Sequence, residues 1–167
     1  MNNSSKFAQR EKLVLDHFVD ETRQEWNDVL STFPHPHYEI VPTGQVHDGR
    51  EAVMKYYIAS RTAFPDQRHE IIKLRHTEDA VVVEFDLLGT HRGDLNGIPP
   101  TGNTFRVRMA AFFIFDGDAL VCERVYFDAL TLIKQLLVGV PPLAVSKMIP
   151  VLLGAAPAAA EPSAAKA

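Results

Sequence analysis

Apolar residues recur at spacings of three and four in the first fifth of the chain, which is the pattern of an amphipathic helix. This spacing predicts a helix from Lys6 to about Phe33, where Pro34 and Pro36 end it. The positions that share its apolar face are Leu15, Phe18, Val19, Thr22, Trp26, Val29, Leu30 and Phe33.

A second helix is predicted from about Arg50 to Ala63, ended by Pro65. Asp48 and Glu51 have the spacing of a capping box, so Asp48 is expected to cap this helix. Between the two helices, the sequence predicts one short strand, Tyr38–Val41.

Long runs of β-forming residues fill the middle of the chain and predict two hairpins. The second hairpin turns at Asp116-Gly117-Asp118, which contains the Asp-Gly pair typical of tight turns. Residues 94–103 form a long loop between the hairpins, and a loop of this length is often functional. The four predicted strands are His69–His76, Ala80–His91, Phe105–Phe115 and Ala119–Phe127.

The last part of the chain returns to a helical pattern, over Thr131–Val138 and again over Leu143–Leu153. The Ala- and Pro-rich tail, residues 154–167, is expected to be disordered, which leaves one domain over residues 1–153. Helices followed by an antiparallel meander predict the α+β class. The expected architecture is a cone-shaped α+β barrel, with a curved, mostly antiparallel sheet around the N-terminal helices and an extra C-terminal helix.

Composition excludes several functional classes. The 167 residues carry a net charge of -4 and show no clustered basic face of the kind that binds nucleic acid. The single cysteine, Cys122, excludes an internal disulfide framework and is expected to be a packing residue. No apolar run is long enough to span a membrane, and no signal peptide is visible, so a cytoplasmic location is expected.

Two strand ends carry groups suited to acid–base chemistry. The segment Gly89-Thr90-His91-Arg92-Gly93 places His91 at the end of one strand, and Tyr126-Phe127-Asp128 places an aspartate at the end of another. Alternation along the first of these strands puts Val81, Val83 and Phe85 on one face, and His91 shares it. His91 is expected either to act at the mouth of the cone or to fix the following loop by a hydrogen bond.

Asp128 follows Val125 and Phe127, so the sequence predicts an apolar setting that would raise the pKa of its carboxyl. The alternative is that Asp128 is the N-cap of the next helix, a common role for aspartate, which would lower its pKa. Tyr126 and Arg124 share its strand parity and are expected to donate to a developing enolate oxygen. Arg124 has the alternative of an ion pair with a carboxylate on a neighbouring strand.

Taken together, the Asp48–Val53 helix start, the Gly89–Gly93 segment, the Gly97–Gly102 segment and Tyr126–Asp128 resemble the SnoaL-like polyketide cyclases of the nuclear transport factor 2-like superfamily. The resemblance extends roughly over residues 35–136. It implies a small enzyme in which Asp128 is the acid/base of an aldol closure and His91 belongs to the site. The chain departs from the family pattern because the strand Arg106–Phe113 has no histidine.

The function expected from the residues and the resemblance is cofactor-independent acid–base chemistry on a hydrophobic carbonyl compound, such as a polyketide or a steroid. The outcome would be aldol cyclisation, isomerisation or dehydration, and the partners would be this small molecule and a second copy of the chain in a homodimer. Pocket positions are also expected at His37, Tyr38, Trp26 and Tyr57. No cofactor is expected.

Three other interpretations are weighed. A non-catalytic ligand-binding or dimerisation module on the same fold would use Asp128 as a helix cap. An epoxide hydrolase would need two carboxylates and an arginine, for which Asp128, Arg124 and Glu39 are available. A metal site at His35 and His37 is rejected, because no cysteine or glutamate is spaced along the sequence to join them.

Overall fold

The computed structural model describes residues 3–152 and has one six-stranded sheet with helices before, between and after the strands. The helices are α1 Asn3–Arg23, α2 Trp26–Ser31, α3 Arg50–Ala63, α4 Ala129–Leu136 and α5 Pro142–Leu152. The strands are β1 His37–Ile40, β2 Gln45–Asp48, β3 Arg68–His76, β4 Ala80–Thr90, β5 Thr104–Asp116 and β6 Ala119–Phe127.

The sheet order is β2-β1-β6-β5-β4-β3, so the two hairpins form a continuous antiparallel meander and β1 joins its far edge. β1 pairs in parallel with β6, with Tyr38 opposite Glu123 and Glu39 opposite Arg124. All other neighbours are antiparallel. The α+β class and the mostly antiparallel sheet beside N-terminal helices are therefore confirmed.

The N-terminal region is two helices, and the prediction of one helix from Lys6 to Phe33 is wrong. Gln24 has φ 62, a left-handed conformation that ends α1 before α2 begins at Trp26. The face of α1 is also rotated from the predicted one, because Val14, Phe18 and His17 are buried whereas Val19 is exposed. The predicted helical spacing was correct, but contacts with the sheet bury a different face of the helix.

β2 is a strand that the sequence pattern did not predict, and it changes the role of Asp48. Asp48 lies at the end of β2, and Gly49, with φ 85, is the N-cap of α3. No side chain caps this helix, so the predicted capping box is wrong. The Asp48 carboxylate instead accepts hydrogen bonds from His35 and His37.

The interior lies between the helices and one face of the sheet. Val81, Val83 and Phe85 face it as predicted, and large side chains fill it without solvent exposure, among them Phe113 and Leu120. Glu84 lies on the opposite face, where Arg108 pairs with it. A close-packed interior of this kind stabilises the fold by removing apolar surface from water.

The segment after β4 is fixed to α3 through its backbone. The amides of Arg92 and Gly93 both donate to the carbonyl oxygen of Ala63, at 2.9 and 3.2 Å. A Cβ atom at Gly93 would lie 2.0 Å from the carbonyl oxygen of Thr62, so only glycine permits this approach.

Replacing Gly93 by alanine is therefore expected to lower the free energy of unfolding by about 3 kcal/mol, because backbone must move to relieve the overlap. Urea denaturation measures the loss. Gly102→Ala is the matched control, since Gly102 has φ +75 but open space around its Cβ position, and left-handed strain alone costs about 1 kcal/mol. Equal losses in the two variants would contradict the close-approach explanation.

Both C-terminal helices are present, although α4 begins two residues before its predicted start. The tail predicted to be disordered, residues 154–167, lies outside the described residues, as does Leu153. Over residues 3–152, none of the helices combines the length and the apolar character that a membrane crossing requires.

Candidate functional site

Asp128 does not lie in the interior. Its side chain is exposed and caps α4: Oδ1 accepts from the Thr131 amide at 3.0 Å, and Oδ2 accepts from the Thr131 hydroxyl at 2.6 Å. These hydrogen bonds hold the pKa of Asp128 below its usual value. The predicted apolar setting with a raised pKa is therefore wrong, and the N-cap alternative is confirmed.

His91 is fully buried, but it serves the loop that follows it. Its Nδ1 accepts from the Thr101 amide at 3.3 Å and lies 3.2 Å from the Thr101 hydroxyl, and its backbone bonds to Asn103 and Gly102 close the loop. Burial lowers the pKa of the imidazole, so the ring is neutral at pH 7. This is the loop-fixing alternative for His91.

Arg124, Tyr126 and His37 lie on the outer face of the sheet, away from the interior. Arg124 forms a two-nitrogen ion pair with Glu39 on β1, which confirms the alternative that this arginine pairs with a neighbouring strand. Tyr126 is 41% exposed. The three groups considered for epoxide opening are thus engaged elsewhere, since Arg124 and Glu39 bind each other and Asp128 caps a helix.

Three of the predicted pocket residues do meet inside the cone. The rings of Trp26 and Tyr57 stack with centroids 4.8 Å apart, and Tyr57 meets Tyr38 edge-on at 5.5 Å. The hydroxyl groups of Tyr38 and Tyr57 are hydrogen-bonded to each other. Both tyrosines are buried, whereas Trp26 is half-buried and connects them to solvent.

His17 and Glu123 complete this group, which we call the interior cluster (His17, Tyr38, Tyr57 and Glu123). Nε2 of His17 lies 2.9 Å from the Tyr38 hydroxyl and 3.3 Å from Oε2 of Glu123. Among the described residues, Oε2 of Glu123 has no hydrogen-bond partner, although the residue is only 5% exposed. A buried carboxylate oxygen without a donor is costly to keep and points to a functional role.

The direction of proton donation through the interior cluster follows from Thr32. Its hydroxyl donates to the Val29 carbonyl at 2.6 Å, so at 3.1 Å it accepts from Nδ1 of His17. A neutral His17 then has its lone pair on Nε2, where it accepts the Tyr38 hydroxyl. Tyr38 in turn accepts from Tyr57, which makes a directed chain Tyr57–Tyr38–His17.

A second buried group, formed by Glu21, Arg61 and His69, lies next to the interior cluster. Nη2 of Arg61 lies 3.7 Å from Oε1 of Glu21, and Nε2 of His69 lies 3.6 Å from the same oxygen. The Arg61 guanidinium also lies over the Trp26 ring at 5.7 Å. The two groups together therefore contain two carboxylates and one arginine, although not the residues predicted from the sequence.

Burial sets the protonation of these groups. It raises the pKa values of Tyr38 and Tyr57 well above the usual range, so both hydroxyls remain donors at pH 7. It raises the pKa of Glu21, against the opposing effects of His17 and Arg61. Burial, helped by the charge of Arg61, lowers the pKa of His69 to about 3 and keeps this imidazole neutral.

The sequence carried a signal for the residues that were missed. His17 and Glu21 stand four apart in α1, and Tyr57 and Arg61 stand four apart in α3, so each pair lies on one helix face. Glu123 and Val125 are two residues apart on β6, so they share one face of the strand, and both are buried. Polar residues in phase with buried apolar positions are the pattern that would have identified the interior cluster.

Metal-binding potential is found on the outer face, where His37, Glu39 and Cys122 come together. One ligand atom from each residue lies within 4.8 Å of the others. The expectation that no cysteine or glutamate joins His37 is therefore wrong. Glu39 is two residues away on β1, and the pairing of β1 with β6 brings Cys122 to both of them.

Several solved structures share this fold. AclR from Streptomyces galilaeus, to which a hydroxylase activity is ascribed, aligns with a TM-score of 0.67 at 20% identity, covering 77% of this chain and 96% of its own. IdmH from Streptomyces antibioticus, to which a polyketide cyclase activity is ascribed, aligns with a TM-score of 0.66 at 20% identity. The alignment covers 77% of this chain and 98% of IdmH. A hypothetical protein from Catenulispora acidiphila with a ketosteroid isomerase-like fold aligns with a TM-score of 0.65 at 19% identity. The alignment covers 77% of this chain and 93% of that protein.

At these identities the likeness concerns the fold alone. The comparison with curated proteins gives no match. The family profile described as SnoaL-like polyketide cyclase, however, matches residues 12–136, which is most of the chain. The match includes the second half of α1, the helices α2, α3 and α4, and the whole sheet. The chain therefore belongs to the SnoaL-like polyketide cyclase family.

Proposed function

We propose that this protein is a cofactor-independent enzyme that performs acid–base chemistry on a hydrophobic carbonyl compound, such as a polyketide or a steroid. The reaction class is aldol cyclisation, isomerisation or dehydration, all of which begin by removing a proton from the carbon next to a carbonyl. Family membership and the buried interior cluster support the proposal.

The observation that carries the proposal is the carboxylate of Glu123, buried beside His17 with one oxygen free of hydrogen bonds. An oxygen without a hydrogen-bond donor is free to accept a proton from a bound substrate. In the proposed first step, Oε2 of Glu123 takes the proton from carbon, and the electron pair of the broken C–H bond forms the enolate.

The tyrosine hydroxyls supply the complementary function. Tyr57 lies at the end of the hydrogen-bonded chain that faces Trp26, and Tyr38 is held behind it by His17. In the proposed complex the Tyr57 hydroxyl, which stays protonated, exchanges its hydrogen bond to Tyr38 for one to the enolate oxygen as the charge develops there. In isomerisation the proton returns from Glu123 to a different carbon, and in dehydration it leaves with a hydroxide as water. In aldol cyclisation the enolate carbon attacks a second carbonyl of the substrate, and the alkoxide that forms takes the proton from Glu123.

Trp26 marks the proposed route of the substrate. Its indole is the half-buried member of the aromatic group and stacks on Tyr57 at 4.8 Å. A flat, apolar ring system that replaced this stacking contact would bring its carbonyl oxygen to the tyrosine hydroxyls.

Deuterium exchange tests the proposal without knowledge of the product. The protein is incubated in D₂O with a panel of aromatic polyketide ketones and 3-ketosteroids, and mass spectrometry follows deuterium uptake next to the carbonyl. We expect protein-dependent exchange in at least one compound, because proton removal is common to the three reactions. Binding of a compound without exchange would contradict the enzymatic proposal.

A second candidate function is a non-catalytic binding or dimerisation module of the same fold. The helix-capping role of Asp128 and the close packing of Tyr38, Tyr57 and Phe113 favour it. This candidate predicts a thermal shift with a ligand, but no exchange at carbon.

The roles of His91 and Asp128 in catalysis, a homodimer and a cytoplasmic location remain predictions. The charged residues on the outer sheet face are already paired with one another within one chain. Arg106 and Arg108 bind Asp86 at 2.7 and 2.6 Å, and Arg108 also binds Glu84 at 2.8 Å. Dimerisation there would have to use groups beyond these ion pairs.

A further inference from the structure

A cluster of three different ligand types lies on the outer face of the sheet, on the opposite side from the interior cluster. The imidazole of His37, the carboxylate of Glu39 and the thiol of Cys122 place one donor atom each within 4.8 Å of the other two. We call these three residues the outer triad. The side chains of His37 and Glu39 are 29% and 27% exposed, whereas Cys122 is buried, so solvent reaches the outer triad through the two residues of β1.

The sheet topology creates this arrangement. His37 and Glu39 alternate with the buried Tyr38 on β1, so both point outward. The parallel pairing sets Glu39 opposite Arg124 on β6, two residues after Cys122. Two strands far apart in the sequence thus bring nitrogen, oxygen and sulfur donors to one place.

The orientation of His37 is the second, independent observation. Its Nδ1 lies 2.9 Å from Oδ1 of Asp48, and a carboxylate can only accept, so Nδ1 carries the hydrogen. In neutral His37 the lone pair is then on Nε2, which lies 3.4 Å from Oε1 of Glu39. Either a second proton on the imidazole or a metal ion satisfies both atoms at this distance, and the nearby sulfur of Cys122 adds a donor that suits the metal ion.

We propose that the outer triad binds a divalent metal ion of the zinc class, with His37, Glu39 and Cys122 as its protein ligands and a fourth position open to solvent. Borderline-soft ions such as Zn²⁺ take nitrogen, oxygen and thiolate ligands in this combination. Asp48 is then the outer carboxylate that orients the ligating histidine, an arrangement typical of metal sites. The thiol proton is released to solvent when sulfur binds the ion.

The distances require only a small contraction. Tetrahedral bonds of about 2.0–2.3 Å separate neighbouring donor atoms by about 3.3–3.7 Å. The donors of the outer triad are at most 4.8 Å apart, and Nε2 of His37 lies 3.4 Å from Oε1 of Glu39. Rotation of partly exposed side chains can supply the difference.

Arg124 competes with the metal ion, because its guanidinium already neutralises Glu39 through two nitrogens. Arg124→Met removes this competing cation and is expected to tighten metal binding about tenfold. A tightening would distinguish a site that uses the Glu39 carboxylate from one that uses the histidine and cysteine alone.

Cobalt titration of the full chain tests the proposal. We expect one equivalent of Co²⁺ to produce a thiolate-to-cobalt absorption band in the near ultraviolet, and Zn²⁺ to abolish the band by displacing the cobalt. Cys122→Ser should remove the band, and Asp48→Asn should weaken affinity by about 10–100-fold. Thermal unfolding of each variant confirms that it is folded.

His35→Ala is the matched control. His35 donates to the same Asp48 oxygen at 2.9 Å and lies two residues from His37, but it is outside the outer triad. We expect it to retain the cobalt band, whereas His37→Ala should lose at least tenfold in affinity. The absence of a thiolate band in the wild-type protein, or equal Co²⁺ affinity in wild type and Cys122→Ser, would overturn the proposal.

Discussion

Glu123→Gln is expected to lower the rate of deuterium exchange by about 10²–10⁴-fold, the range that a positioned general base contributes. Glutamine has nearly the same shape as glutamate and can still contact Nε2 of His17, but it cannot take a proton from carbon. The substrate that gives the strongest exchange with the wild-type protein is used for the measurement.

Asp128→Asn is the matched control for this variant, because it also converts a carboxylate to an amide. Asparagine is a good N-cap and can still accept a hydrogen bond from the Thr131 amide, so the start of α4 at Ala129 is preserved. If Glu123 is the base, the Asp128→Asn variant should catalyse deuterium exchange of the substrate at close to the wild-type rate.

If Asp128→Asn loses the exchange activity and Glu123→Gln keeps it, the result would support Asp128 as the acid/base instead. Circular dichroism and thermal unfolding show whether each variant is folded before its rate is interpreted. A folded Glu123→Gln protein with wild-type exchange would eliminate the proposed role of Glu123.

Acid is expected to destabilise the protein partly through His69. Burial lowers the pKa of this imidazole to about 3, whereas a histidine in the unfolded chain titrates near 6.5. Between these two pH values the unfolded chain binds a proton that the folded protein excludes. Stability therefore rises with pH in this window and is lost on acidification, by about 1.4 kcal/mol per pH unit.

His69→Gln should reduce this acid dependence. Between pH 7 and pH 4, the free energy of unfolding should fall by about 3 kcal/mol less in His69→Gln than in the wild type. Urea titrations at several pH values measure the two losses. Glu21 has a raised pKa and acts in the opposite direction, but it is present in both proteins, so the difference between them reports on His69.

Thr22→Val is the control for this comparison. The Thr22 hydroxyl donates to Phe18 and lies 3.2 Å from Nδ1 of His69, so its removal weakens the contact but keeps the titrating ring. This variant should be less stable at every pH with an unchanged acid slope. A wild-type slope in His69→Gln would show that His69 is not the group responsible.

Local sequence patterns predicted most of the elements. The two hairpins, α3 and the C-terminal helices follow from the spacing of apolar residues and from turn residues, which act over a few positions. The errors occurred where a local pattern had two solutions. A helix period does not reveal a break such as Gln24, and Asp48 can cap a helix or end a strand.

The site was harder to predict, because its residues come from five separate elements. Trp26, Tyr38 and Tyr57 were identified as pocket residues and do come together. His17 and Glu123 were missed, since a single polar residue in an apolar stripe gives no local indication of its partner.

The sequence alone determined the α+β class, the order of the hairpins and family membership, because these depend on periodicity and on short motifs. Tertiary structure decided which face of each strand looks inward. On β6 that choice buried Glu123 and turned Arg124 and Cys122 outward. The physical reason is that side chains alternate along a strand, so the packing of helices against one face assigns every residue to the interior or to the surface at once.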